Sequence, residues 1–123
     1  MFHSVQSCYG KLILSHNALA KLVGMATIEC YGVAGMTPQN LSDGLAAILG
    51  HESLAKGVKV VKKDNDSCIA ISVNIVVGYG VNIGQVARNI KDKVAYMVGH
   101  CTGLKVNKVD VNVQGVKVDK SNE

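Results

Sequence analysis

One segment near the middle of the chain constrains the fold more than any other. Between Ile69 and Val77, every second position carries a branched aliphatic side chain. A period of two is that of a β-strand, whose alternate side chains point to opposite faces of a sheet. A second apolar run, Gly57–Lys63, precedes it, and residues 64–67 between the two runs are turn formers. The sequence therefore predicts an antiparallel hairpin with one strongly apolar face.

Two amphipathic helices are predicted on either side of this hairpin. The first follows Ser15, an N-cap residue, and its apolar stripe contains Leu19, Leu22, Val23, Ala26 and Cys30. Gly24 lies inside this helix and predicts a close packing contact there, because glycine is otherwise unfavourable in a helix. The second helix is longer: Asn82 with Gln85 resembles a capping box, and Gly103 is placed to end the helix.

The patterns in the rest of the chain are shorter and are interrupted by glycine and proline. Gly10–Leu14 reads as a first strand, and Tyr31–Pro38, with two glycines and the only proline, reads as a connection. A short helix is predicted from Asn40 to Gly50. The last strand begins at Leu104. Its alternation of apolar and polar residues shifts by one position near residues 107–108 and again near 114–115, and we expect irregular pairing at both places.

These elements predict an α+β fold of order β-α-(α)-β-β-α-β. Each element has one apolar face, so the stable arrangement is a two-layer sandwich with the helices on one face of a mainly antiparallel sheet. A chain of 123 residues fits one domain, residues 1–123, with its core from about 10 to 116 and frayed ends.

Composition limits the environment and the class of partner. Hydrophobic residues make up 48% of the chain but aromatic residues only 4%, so the core is aliphatic. A domain this apolar either has a tightly packed core as a monomer or buries apolar surface in a homo-oligomer. We find no signal peptide and no apolar run near the ~20 residues of a membrane-spanning helix, so we expect a cytoplasmic protein without a direct span. The scattered cysteines are expected to be reduced and mostly buried.

The segment from Gly78 to Gly84 is the best candidate for a small-ligand site. It joins a strand to a helix, and a helix N-terminus can bind an anion, with Tyr79, Gly80 and Asn82 as candidate contacts. No Gly-Lys-Ser/Thr phosphate-binding signature is present, so a glycine turn with a capped helix is the favoured interpretation. Tyr79 could anchor a partner, although a tyrosine at the core edge is favoured.

Lysines on the predicted strands offer a second candidate surface. If the strands are neighbours, one exposed face could carry Lys59, Lys62, Lys63, Lys105 and Lys108. A net charge of +4 and such a face permit nucleic-acid binding, but a nucleic-acid platform usually adds aromatic side chains for base stacking. Lysine also solvates sheet faces and protects edges, so we do not expect a nucleic-acid partner.

No group of residues predicts catalysis, a metal site or a cofactor. The four histidines are isolated, none has zinc-ligand spacing with a second histidine or a cysteine, and no two carboxylates form a clear acid–base pair. Cys101 continues the apolar stripe of the second helix, so we expect it to be buried rather than to act as a nucleophile.

Five segments, taken in order, resemble the alkaline-shock protein family, also called the general stress protein family, of Gram-positive and related bacteria. The resemblance covers about residues 10–116, and the four cysteines depart from the family pattern. The segments are Gly10–Ser15, Tyr31–Met36, Lys56–Val60, Val77–Ile83 and Cys101–Val116.

The resemblance implies a cytoplasmic, non-enzymatic protein linked to alkaline and cell-envelope stress. It also implies self-association, or binding to a small membrane-anchored protein that would hold the chain at the inner face of the membrane. No catalytic residue carries over. The alternatives from the residues alone are a small nucleic-acid-binding module and an anion or small-ligand sensor.

Overall fold

The computed structural model describes residues 3–7, 10–38, 50–63 and 68–118. Its strands are β1 (His3–Ser7), β2 (Gly10–Leu14), β3 (Val33–Met36), β4 (Val58–Lys63), β5 (Cys68–Gly78) and β6 (Lys105–Lys117). The helices are α1 (His16–Ile28), α2 (Ile83–Thr102) and a 3-10 helix (His51–Gly57). The predicted helix from Asn40 and the turn at residues 64–67 lie outside the described residues.

β5 is the centre of the main sheet. β6 runs parallel to β5 along one edge, over residues 68–78. The other edge is shared by β4, which pairs with residues 68–73, and β3, which pairs with residues 75–77, both antiparallel. The predicted hairpin of β4 and β5 is therefore confirmed. β6 is parallel because α2 carries the chain back before β6 begins.

The core lies between this sheet and the two helices. All five aliphatic side chains of the alternating segment are at most 1% exposed, and they pack against buried side chains of α1 and α2. The α+β class, with helices on one face of a mainly antiparallel sheet, is confirmed. Gly24 also behaves as predicted, because a Cβ there would lie 2.9 Å from the Cβ of Leu54 in the 3-10 helix.

Two expectations about the strands were wrong. Gly10–Leu14 is a strand, but it pairs with His3–Ser7 in a separate two-stranded sheet and does not join the main sheet. Residues 33–36, predicted to be part of a connection, form β3. This strand was missed because the two glycines and the proline of the segment indicate a turn. The strand has only four residues, which are enough to pair with the end of β5.

Irregular pairing occurs where the phase slips predicted it. The register of β6 against β5 skips Asn107, between Val106 and Lys108, and then Gln114, between Val113 and Gly115. Each skipped residue returns a valine to the helix side of the sheet. The valines of β6 that contribute to the core are Val106, Val109, Val111 and Val113. Between the two bulges, residues 108–113 pair regularly.

Candidate functional site

Three chain segments meet at the end of the sheet where β5 and β6 finish. Gly78 N donates to Gly32 O at 3.0 Å, which joins the turn before β3 to the turn after β5. Tyr79 N donates to Lys117 O at 3.0 Å, which joins that turn to the end of β6. The exposed apolar side chains of these segments form what we call the sheet-end patch: Tyr31, Tyr79, Ile83, Val116 and Val118.

Both tyrosines of the patch are displayed to solvent. Tyr31 is 83% exposed and Tyr79 is 77% exposed, and the three aliphatic side chains are between 44% and 49% exposed. The expectation that Tyr79 lies at the core edge was therefore wrong. The pairing of β3 with β5 ends at Val33 and Val77, and both tyrosines lie in the turns just beyond it, which the Gly32–Gly78 hydrogen bond joins.

Glycines set the shape of the two turns. Gly32 has φ +91°, and a Cβ there would lie 2.6 Å from Cγ2 of Val86, so both the backbone conformation and the close approach of α2 require glycine. Gly80 has φ +90° and open space around it, so only its backbone conformation requires glycine. Each tyrosine thus precedes a glycine in the left-handed region, which turns the chain sharply beside the aromatic ring.

Sequence reasoning found Tyr79 but missed the other members of the patch. The pair Tyr-Gly is a weak signal, because it occurs at Tyr9-Gly10 as well as at Tyr31-Gly32 and Tyr79-Gly80. The exposure of Ile83 and Val116 could not be read from periodicity, because both continue the apolar pattern of their elements.

The N-terminus of α2 lies beside the patch. Asn82 Oδ1 accepts from Gln85 N at 3.0 Å, so the predicted cap is confirmed. The capping box is only half formed, since the side chain of Gln85 donates instead to Asn89 Oδ1 at 2.9 Å. The Asn82 side chain occupies the position an anion would take at Gln85 N, which weakens the case for an anion site there.

The predicted lysine surface is smaller than expected and distant from Tyr79. Lys59, Lys105 and Lys108 lie on the sheet face turned away from the helices, whereas Lys62 pairs with Ile69 and so lies on the helix side. Lys59 is opposite Ser72, seven residues before Tyr79, which corresponds to about 23 Å along the strand. The side chain of Lys63 lies outside the described residues.

The open face between these lysines is mixed in charge. Lys59, Ser72, Lys108 and Asp110 help to line an open depression of about 410 Å³. Lys108 Nζ lies 3.4 Å from Asp110 Oδ2, an exposed pair that stabilises the fold by no more than about 1 kcal/mol. No aromatic side chain is among its lining residues, so the depression lacks a base-stacking platform.

Next to this depression, amide side chains tie the strands together. Asn112 Nδ2 donates to Ser72 Oγ and to Asn74 Oδ1, both at 3.0 Å, and Asn74 Nδ2 donates to Pro38 O at 3.1 Å. The Thr37 hydroxyl nearby is fully buried and has no hydrogen-bond partner. These contacts are structural, and nothing in them suggests proton transfer.

The cysteines differ in exposure. Cys30 is buried, Cys68 is half-buried and Cys101 is exposed, so the expectation of a buried Cys101 was wrong. The apolar stripe of α2 ends with Val98 and Thr102, and Cys101 lies beside it. Burial raises the pKa of the Cys30 thiol, Lys93 opposes this shift and Glu29 adds to it.

No cluster of metal ligands occurs in the part of the chain that the structure describes. There, no three His, Cys, Asp or Glu side chains lie close enough together to hold an ion. Over the same residues, neither helix is both long and apolar enough to cross a bilayer.

Comparison with known proteins identifies the family. A family model described as the ASP23 family, with a cell envelope-related function, matches residues 4–118. The chain belongs to this family. It is the alkaline-shock protein family that the five segments predicted, and the match covers both the sheet-end patch and β6.

Relatives of similar length support this membership. The chain is 40% identical to the uncharacterised protein YloU of Bacillus subtilis (strain 168) over 111 residues, which cover 89% of this chain and 91% of YloU. An uncharacterised protein of Streptococcus pyogenes is 36% identical, with 89% of each chain covered. YqhY of B. subtilis, also uncharacterised, is 30% identical over 89% of this chain and 79% of its own. No solved structure matches the chain.

Proposed function

We propose that this protein is a non-enzymatic interaction protein that acts under alkaline or cell-envelope stress. In this proposal it works by joining protein chains, either copies of itself or a small membrane-anchored partner that holds it at the inner face of the membrane. The family description supports the connection with the envelope. The rest of the proposal depends on surfaces of this chain.

The edge of β6 is the observation that carries the proposal. This strand has 13 residues, and one of its edges pairs with β5 along its length. Its other edge has no partner strand among the described residues. An unpaired edge presents a row of N–H and C=O groups on which another strand can add.

The composition of β6 leaves a defined stretch open for such pairing. The bulges at Asn107 and Gln114 and the lysines at the strand ends limit uncontrolled association. Between the bulges, polar side chains on the open face alternate with valines on the helix face, and Asp110 lies near the middle. A strand that adds at residues 108–113 would extend both the sheet and the apolar layer.

Light scattering on the purified full chain across protein concentration tests this proposal. We expect an oligomer for the wild type, and we expect Asp110→Lys to weaken it roughly tenfold, which corresponds to about 1.4 kcal/mol, because the added lysine protects the edge. Asp92→Lys makes the same change of charge at an exposed position on α2 and should leave the oligomer unchanged.

The results would separate the two kinds of partner. If the wild type is a monomer at every concentration, an envelope-protein fraction should be passed over immobilised wild type and D110K. Binding of a small membrane protein to wild type but not to D110K would support the second form of the proposal. A monomer that captures no protein in an edge-dependent way would refute it. The nucleic-acid and anion alternatives have no observation of their own in their favour.

A further inference from the structure

The charges on β6 make this strand complementary to a second copy of itself. Lys108 and Asp110 lie two positions apart in the regular stretch between the bulges, both on the sheet face turned away from the helices. Their side chains are 55% and 54% exposed, beside an edge that has no partner strand among the described residues. Opposite charges at positions i and i+2 of a strand face each other when two copies of the strand pair antiparallel about position i+1.

We propose that two copies of the chain form a closed dimer in which β6 pairs antiparallel with β6 about a two-fold axis at Val109. In this register Lys108 of each copy lies directly opposite Asp110 of the other, which gives two reciprocal pairs of opposite charge. The inference rests on the proposed function, because it uses the same strand edge, and it deepens that function by naming the partner and the register.

The alternation of faces along β6 limits the registers that are possible. Residues directly opposite each other in an antiparallel pair point to the same face of the sheet. An axis between two residues would therefore place helix-face valines opposite residues of the open face, so the axis passes through a residue. An axis at Lys108 or at Asp110 would place two like charges directly opposite each other, which is unfavourable.

The remaining positions of the regular stretch give no comparable pairs of opposite charge. An axis at Val111 or Asn112 leaves Asp110 opposite an uncharged residue, and an axis at Val113 lies directly beside the bulge at Gln114. Among the residues between the two bulges, the one that charge complementarity favours as the axis is position 109.

The same register covers apolar side chains on the helix face. Val109 lies beside its own copy at the axis. The partner strand skips Asn107, as β5 does, and so brings Val106 opposite Val111 at each end of the contact. Val106 and Val111 are half-buried at the margin of the core in the single chain. Pairing therefore extends the apolar layer from one copy into the next.

The other long strand at the margin of the sheet, β4, is a poorer partner for β6. Its charged residues, Lys59, Lys62 and Lys63, are all positive. Lys62 also lies on the helix side, where a head-to-tail contact with β6 would bring its charge into the apolar layer. A head-to-tail contact would continue into a filament, whereas the two-fold contact of β6 is complete with two copies.

Exchange of the charges tests the proposed contact. Lys108→Asp and Asp110→Lys each place like charges across it, so each should raise the dissociation constant measured by light scattering about tenfold. An equimolar mixture of the two variants restores opposite charges between the copies and should return to within about threefold of the wild-type value. The mixture is informative because neither variant retains the ion pair of Lys108 with Asp110 within its own chain.

Controls separate this effect from changes in net charge and in folding. Lys91→Asp and Asp92→Lys, alone and mixed, make the same changes of charge at exposed positions on α2 and should match the wild type. Thermal melts of all four variants should show a folded protein, because each substituted side chain is exposed.

Cysteine pairs measure the register itself. On mild oxidation, Lys108→Cys mixed with Asp110→Cys should form a disulfide between the copies, since Cα atoms directly opposite each other lie about 4.5–5.5 Å apart. Asp110→Cys alone would report an axis at Asp110, and Asp110→Cys mixed with Asn112→Cys would report an axis at Val111. Peptide mass spectrometry distinguishes these bonds from those of the native cysteines, and we expect the bond between positions 108 and 110 to dominate.

The outcomes separate this inference from the proposed function. If Asp110→Lys weakens the oligomer but Lys108→Asp does not, or if the mixture fails to restore it, the contact uses the edge of β6 in another register and the inference is overturned. A monomeric wild type that captures a membrane protein through this edge would also overturn the inference and would leave the proposed function in its second form. An oligomer that neither variant weakens would refute both.

Discussion

Replacing Gly24 by alanine tests the packing of α1 directly. Alanine is favoured over glycine in a helix interior by about 0.8–1 kcal/mol, so the substitution would stabilise an isolated helix. Here the new Cβ would lie 2.9 Å from Leu54 Cβ and 3.3 Å from Leu54 O, well inside the ~3.5–4.0 Å of a favourable carbon contact. Both atoms belong to, or lie next to, the backbone of a fully buried residue, so no flexible side-chain tip can move away.

The expected cost of this overpacking is about 1–3 kcal/mol. The sum of both effects leaves Gly24→Ala destabilised by roughly 0–2 kcal/mol. Gly99→Ala is the matched control, because Gly99 is exposed within α2 and its new Cβ would approach nothing closer than Leu104 O at 3.8 Å. That variant should gain the full ~0.8–1 kcal/mol.

The difference in the free energy of unfolding between the two variants isolates the packing cost, because both variants gain the same helix propensity. Urea unfolding followed by far-UV circular dichroism, at one protein concentration, should place Gly24→Ala about 1–3 kcal/mol below Gly99→Ala. If the two variants agree within about 0.5 kcal/mol, the contact between α1 and the 3-10 helix is not as close as described, and the reasoning fails.

Four further predictions concern single side chains. Asn82→Ala should lower the free energy of unfolding by about 1 kcal/mol, because it removes the cap on Gln85 N, and a urea titration measures this loss. Thr37→Val should be neutral or stabilising by up to about 1 kcal/mol, because it removes a buried hydroxyl without a partner; a clear loss in the same titration would mean that the hydroxyl is satisfied. Iodoacetamide labelling resolved by peptide mass spectrometry should modify exposed Cys101 well before buried Cys30. Burial raises the pKa of the Cys30 thiol, so the fold favours the neutral thiol. This stabilisation is complete below the unfolded thiol pKa of about 8.5, and it is lost as the pH rises through the raised pKa of the folded state. Cys30→Ala should remove this part of the pH dependence of the free energy of unfolding.

Elements with a regular pattern could be predicted from the sequence. β5 was identified by its alternation, and α1 and α2 by their stripes, because burial on one side leaves a period that local sequence shows directly. The caps at Ser15 and Asn82 were also predicted correctly, since each depends on a contact only three residues away. The resemblance of the five segments gave the family itself.

Features that depend on distant contacts could not be predicted in this way. β3 exists because four residues meet the end of β5, and its sequence alone reads as a turn. The sheet-end patch depends on hydrogen bonds that join Gly32 to Gly78 and Tyr79 to Lys117. Whether a side chain is exposed at such a junction depends on the three-dimensional arrangement, so the display of Tyr79 and the exposure of Cys101 were both predicted wrongly.

Light scattering of the wild type beside Asp110→Lys and Asp92→Lys is the most direct measurement of the proposed role of the protein. The expected result is an oligomer that forms with rising concentration, weakens roughly tenfold in Asp110→Lys and is unchanged in Asp92→Lys. An oligomer equally strong in all three proteins would show that the edge of β6 is not the contact. A monomer throughout, with no edge-dependent capture of an envelope protein, would contradict the proposed function.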